Sequence, residues 1–240
     1  MVHLGSKDIQ MIAGHYATAL VAHQKFPKGT LLFFLVASQF QDIFWFVFHY
    51  LGLEPTTPDD VFDATIDTMS VSMMYSHHLL PQLFWAVVIF LIGKWLFKST
   101  TIGLVALALF VGHIVLDFFS GHAHNVFGED TQGVGLGLYA TNAYLAILIE
   151  AVFIVVALAY YFREEVKAGI IRTGKNRAVI IGVFVYGIGF MLSVATVSFR
   201  DLLGLPEFDL GFNTTMPTII FTYVAMTAVL YWAIPNTAET

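Results

Sequence analysis

The sequence predicts an all-α, polytopic transmembrane helix bundle of seven helices, or six plus one re-entrant or interfacial helix. Two observations carry that expectation. Of the 240 residues, 58% are hydrophobic and only 12% charged, with a mean hydropathy of +0.76, against roughly 25% charged residues in a soluble domain. Apolar windows of about 20 residues, the length that crosses a bilayer, recur along the whole chain with short connections between them. Residues 1–240 therefore read as a single integral membrane domain, with membrane lipids as its surroundings and no nucleic-acid partner. The chain has no cysteine, which excludes disulfides and thiolate metal sites. Residues 1–20 lack a basic stretch followed by an unbroken apolar run, which argues against a cleaved signal peptide.

In chain order, residues 9–24 form a weakly apolar helix that either spans or lies along the interface, and Phe26-Pro27-Lys28-Gly29 closes it with a turn. Residues 30–51 are a strong span interrupted by one acid, Asp42. The connection 52–67 is acidic, carrying Glu54, Asp59, Asp60, Asp63 and Asp67. Residues 70–97 are the next apolar run, with Ser76-His77-His78 near its start, and Lys98-Ser99-Thr100 turns into the span 101–119. After a glycine-rich loop at 128–137 come spans 142–162, 178–198 and 216–234. Residues 1–125 hold the candidate site, and 126–240 supply additional transmembrane helices. Lys25, Lys28, Lys94, Lys98, Arg163, Lys167, Arg172, Lys175 and Arg177 fall on one side if every strong run spans. By the positive-inside rule that side, and with it the C-terminus, is cytoplasmic.

The chemistry concentrates in GHIVLDFFSGHAH, residues 112–124. His113 and Asp117 stand four residues apart in an apolar helix, so imidazole and carboxylate project from one face, the spacing of a helical metal-ligand pair. Counting from the cytoplasmic turns at about 1.5 Å of rise per residue, His15, Asp42 and His113 come level, with Asp117 one turn further out and His77 near the same band. Glu150 lies about 12 residues from the cytoplasmic end of its own span. An Asp at the centre of a membrane helix costs roughly 2.5 to 3.5 kcal/mol. In a band of carboxylates and imidazoles with almost no Lys or Arg, a divalent cation satisfies both ligand types at once. Nitrogen and oxygen ligands favour Zn²⁺, with Mn²⁺ the alternative. Asp42 or Glu150 is the candidate general base if not a ligand. His23 and His49 read as hydrogen-bonded core residues, His3 as a terminal residue, and His122 and His124 as loop residues for which surface and metal roles are equally open.

Gly14-His15, Ala37-Ser38-Gln39-Phe40-Gln41-Asp42, Ser76-His77-His78-Leu79-Leu80 and Gly112-His113-Ile114-Val115-Leu116-Asp117 together resemble, in order, the motifs of the YdjM-like family of bacterial membrane-bound, metal-dependent hydrolases. That family is distantly similar in pattern to zinc-dependent phospholipase C. The resemblance covers about the first half of the chain. Gln41 stands where the family has Pro, and Phe44 where it has a second Asp. It implies a bacterial cell membrane and makes His15, Asp42, His77, His113 and Asp117 the metal ligands. Two functions follow as expectations: hydrolysis of an ester or phosphoester, lipids included, by a metal-activated water, or passage of an ion or proton along the same buried residues.

Overall fold

The computed structural model describes residues 13–121, 123–128, 130–208 and 211–235. The start of the expected first span, His3 and His122 lie outside these residues. The described residues are all-helical apart from two short antiparallel pairings: α1 Gly14–Lys25, α2 Leu31–Ser38, α3 Phe40–Tyr50, β1 Thr56–Thr57, β2 Ser70–Val71, α4 Leu79–Leu96, α5 Thr100–Ser120, β3 His124–Asn125, β4 Gly133–Val134, α6 Leu138–Thr141, α7 Ala143–Lys167, α8 Gly174–Ser193, α9 Phe199–Leu203 and α10 Thr215–Ala233.

Among the described residues, five helices (α4, α5, α7, α8 and α10) are long and apolar enough to cross a membrane, or six spans if α2 and α3 count as one. The count of seven is not confirmed among the described residues, and six matches the alternative of six spans plus one further helix. Helix α1 has 12 described residues, about 18 Å of rise, too short for the hydrocarbon core. Its Gly14, His15, Tyr16, Ala17, Ala19 and Leu20 are buried, so this part runs inside the bundle and not along an interface. The five spans bury only 17% to 39% of their apolar windows; the rest faces outward, as lipid contact requires.

Local chemistry sets the boundaries. The side chains of Thr30, Ser99, Asn142 and Thr173 each accept the backbone N–H three residues on, at the starts of α2, α5, α7 and α8, using donors that a helix start leaves unpaired. Pro81 falls in the first turn of α4, where its missing N–H costs nothing. Residues 70–97 are therefore not one helix: 70–71 pair with 56–57, and the segment carrying Ser76 and His77 is non-helical. Residues 30–51 are not one straight span either, because α2 and α3 meet at 64° across Gln39. No Pro or Gly sits at that break. The Ser38 hydroxyl donates back to Leu35 O, and the Ser38 carbonyl accepts a hydrogen bond from the His113 ring, an intrusion of side chains into the helical ladder of the kind that bends helices. Helices α4 and α5 pack with Gly93 against Gly103; a Cβ on Gly103 would lie 2.7 Å from Phe90 O, so only a small residue permits this approach.

Contacts define two ends. At one, Lys25 pairs with Glu164, Gln24 donates to Tyr161 O, and Arg172 donates to the carbonyls of Ala233 and Ile234. At the other, the acidic connection after α3 is tied to the loops around α9: Arg200 binds Asp60 and Asp63, Ile66 N–H donates to Val194 O, and the N–H groups of Thr214 and Thr215 donate to Asp59 O.

Candidate metal centre

Helix α5 lays the foundation. His113 and Asp117 sit one turn apart on its buried face, with His113 Nε2 3.2 Å from Asp117 Oδ2. The bend after Ser38 puts Asp42 in the first turn of α3, with Oδ1 3.7 Å from His113 Nε2 and 3.5 Å from His77 Nε2. His77 arrives from the non-helical segment before α4. His15, in the first turn of α1, stacks on the His113 ring at 3.6 Å and 8°, with Nε2 3.4 Å from Asp117 Oδ1. His124, on β3, places Nε2 3.8 Å from Asp117 Oδ2. All six side chains are at most 1% exposed.

The structure thus brings together His15, Asp42, His77, His113 and Asp117, and adds His124. Two ligand groups result, His15–His113–Asp117 and Asp42–His77–His113, sharing His113. Ligands around a tetrahedral ion at about 2.0–2.1 Å lie roughly 3.4 Å from one another, which the 3.2–3.8 Å separations here approach. His15 Nε2, Asp42 Oδ1, His113 Nε2 and both Asp117 oxygens are buried and make no hydrogen bond. The ion-pair partners of Asp42 and Asp117 among the described residues are all histidines. Buried polar atoms are ordinarily satisfied, so a convergent set of open donors of these types can hold a metal ion.

The outward-facing atoms distinguish the two groups. His113 Nδ1 lies 2.8 Å from Ser38 O; a carbonyl only accepts, so Nδ1 carries the proton and Nε2 presents its lone pair to the centre. His124 Nδ1 is held likewise by His77 O at 2.8 Å. His77 Nδ1 lies 2.7 Å from Ser76 Oγ, and Asp42 Oδ2 accepts from the Tyr223 hydroxyl at 3.0 Å. Every member of Asp42–His77–His113 therefore has its second polar atom anchored, the arrangement that orients metal ligands. His15 Nδ1 has no partner.

Glu150 stands apart. Its Oε1 accepts the N–H groups of Ala13 and Gly14, each at 2.8 Å, and its Oε2 accepts the Tyr139 hydroxyl at 3.0 Å. It caps the start of α1 from across the bundle and so holds His15 in place. His23 and His49 belong to neither ligand group. Outside the spans, Glu54 is fully buried; burial pushes its carboxyl up to about 7, against hydrogen bonds from Ser76 and Tyr75 that favour the charged form. The sequence leaves the role of His124 open and marks none for Tyr223, Glu54 or the Ser38 carbonyl. Only Ser76, adjacent to His77, carried a local signal.

Fold and centre define a class: a helical membrane protein with a buried histidine–aspartate centre suited to a metal ion. No family model, curated protein or solved structure matches the chain.

Proposed function

We propose that the protein is a membrane-embedded, metal-dependent hydrolase of an ester or phosphoester, with a lipid as the favoured substrate. The observation that supports this most is the convergence of buried imidazole and carboxylate atoms without hydrogen bonds, with no Lys or Arg paired to Asp42 or Asp117 among the described residues. In this reading Asp42, His77 and His113 hold the ion, Zn²⁺ by preference and Mn²⁺ as the alternative, because their second polar atoms are anchored. A bound cation supplies a water of lowered pKa and polarises a phosphoryl or acyl oxygen. Asp117, left with two unsatisfied oxygens beside His113, takes the proton from the water as general base. His15 and His124, facing Asp117 from two sides, steady the carboxylate before and after that transfer. The basic end, with the C-terminus, faces the cytoplasm of a bacterial cell, and the centre lies toward the outer leaflet.

The transport alternative needs a polar route from the centre to the basic end. Along α5 the buried residues in that direction, Phe110, Leu109, Ala106, Gly103 and Ile102, offer none, and the polar groups reaching out from Asp42 on the other side are Tyr223, Tyr16 and Thr227. Elemental analysis of the detergent-purified protein, without an affinity tag of histidines, tests the proposal. About one equivalent of Zn or Mn should be present, lost in His113→Ala and Asp42→Ala. Asp117→Asn should retain the metal while turnover of lipid and phosphoester substrates falls. A wild-type protein that takes up no divalent ion even on titration sinks the hydrolase reading and directs the next experiment to ion flux.

A further inference from the structure

The acidic connection that follows α3 contributes one residue to the interior. Glu54 Oε1 accepts the backbone N–H groups of Tyr75 and Ser76 at 2.6 and 2.8 Å, and Glu54 Oε2 lies 2.7 Å from Ser76 Oγ. Ser76 Oγ in turn lies 2.7 Å from His77 Nδ1. Glu54, Ser76 and His77 are each 0% exposed. An ionised carboxylate only accepts, so the serine hydroxyl donates to Glu54; its oxygen then accepts from His77, which places the proton on Nδ1 and leaves the Nε2 lone pair facing Asp42.

We infer that Glu54 is a positioning residue that fixes the His77 tautomer through the Ser76 hydroxyl. The inference rests on the proposed metal site for its consequence, but the tautomer can be read without any metal. Glu54→Gln is the informative variant because it nearly preserves shape. The amide oxygen can still accept the Tyr75 and Ser76 N–H groups, while the amide nitrogen now donates to Ser76 Oγ. With no acceptor left facing it at position 54, the hydroxyl is expected to turn and donate to His77 Nδ1, and the ring proton moves to Nε2, where it blocks the lone pair. One substitution reverses the polarity of the whole chain.

The experiment uses full-length protein in detergent at about pH 8, stripped of metal. Nitrogen-15 NMR of labelled histidines, with His77 assigned by its loss in His77→Gln, reads the tautomer. Competition with a chromophoric chelator reads Zn²⁺ affinity. The expected results are a proton on Nδ1 in the wild type, a proton on Nε2 in Glu54→Gln, and a 10- to 100-fold loss of affinity in that variant, the range found when a ligand's supporting partner is changed. Ser76→Ala, which cuts the chain, should weaken Zn²⁺ binding similarly and serves if Glu54→Gln does not fold. An unchanged His77 tautomer in Glu54→Gln overturns the inference, whatever the affinity. If the wild type binds no Zn²⁺, the hydrolase reading fails, and the tautomer alone still decides whether Glu54 sets it.

Discussion

Two buried polar clusters lie at opposite ends of this bundle, and they differ in whether they balance themselves. At the basic end, Arg172 donates to both oxygens of Glu165, to the Tyr161 hydroxyl, to Asn176 Oδ1 and to the carbonyls of Ala233 and Ile234. Charge meets charge, and the end of α10 gains partners for its last carbonyls. At the acidic end, the ion-pair partners of Asp42 and Asp117 among the described residues are all histidines, at 3.2–3.8 Å, and Asp42 Oδ2 also accepts from the Tyr223 hydroxyl. The first cluster is a structural knot. The second gathers buried carboxylate and imidazole atoms in groups that could hold a metal ion.

The comparison predicts opposite responses to mutation. Arg172→Ala strands the Glu165 carboxylate and should cost about 3–5 kcal/mol of stability, read as a large fall in thermal unfolding temperature with metal content per folded molecule unchanged. A variant that kept its stability and lost metal would erase the distinction. Next in size is the effect of a chelator. Zn²⁺ at about a hundred times its dissociation constant stabilises the site's owner by ~2.7 kcal/mol, so stripping it should lower the unfolding temperature of the wild type and leave His113→Ala unmoved. Equal shifts in both proteins would place the ion elsewhere.

Two smaller effects sharpen the picture. Tyr223→Phe removes the hydrogen bond to Asp42 Oδ2, a loss of about 1.5 kcal/mol or roughly tenfold in Zn²⁺ affinity, measurable by chelator competition. Glu150→Gln removes the negative charge at the start of α1 while keeping an acceptor there, and should cost about 1 kcal/mol of stability with turnover intact. Loss of turnover at unchanged stability would instead restore Glu150 as the general base.

Much of this was legible in the sequence. The apolar spans are local facts of composition and length, and His113 with Asp117 follows from helical periodicity. Counting residues from the turns set Asp42 and His15 near the same level by treating residues 30–51 as one straight helix, which the 64° bend between α2 and α3 shows they are not. The bend at Gln39 was not legible, since no Pro or Gly marks it and its partner, His113, is distant in sequence. The apolar run from 70 read as helix because hydropathy does not register a carboxylate from another segment. Glu54 captures the N–H groups of Tyr75 and Ser76 and holds residues 74–77 as a turn before α4 that delivers His77.

What the sequence determined by itself is the class of molecule and the supply of candidate ligands, because hydrophobic length and residue type are properties of single segments. The tertiary structure decided which of those ligands meet, which of their atoms are anchored, and that Glu150 caps a helix while His124 turns inward. Those outcomes depend on hydrogen bonds spanning as many as 181 residues, as from Tyr223 to Asp42, and a contact between distant segments leaves no periodic trace in either one.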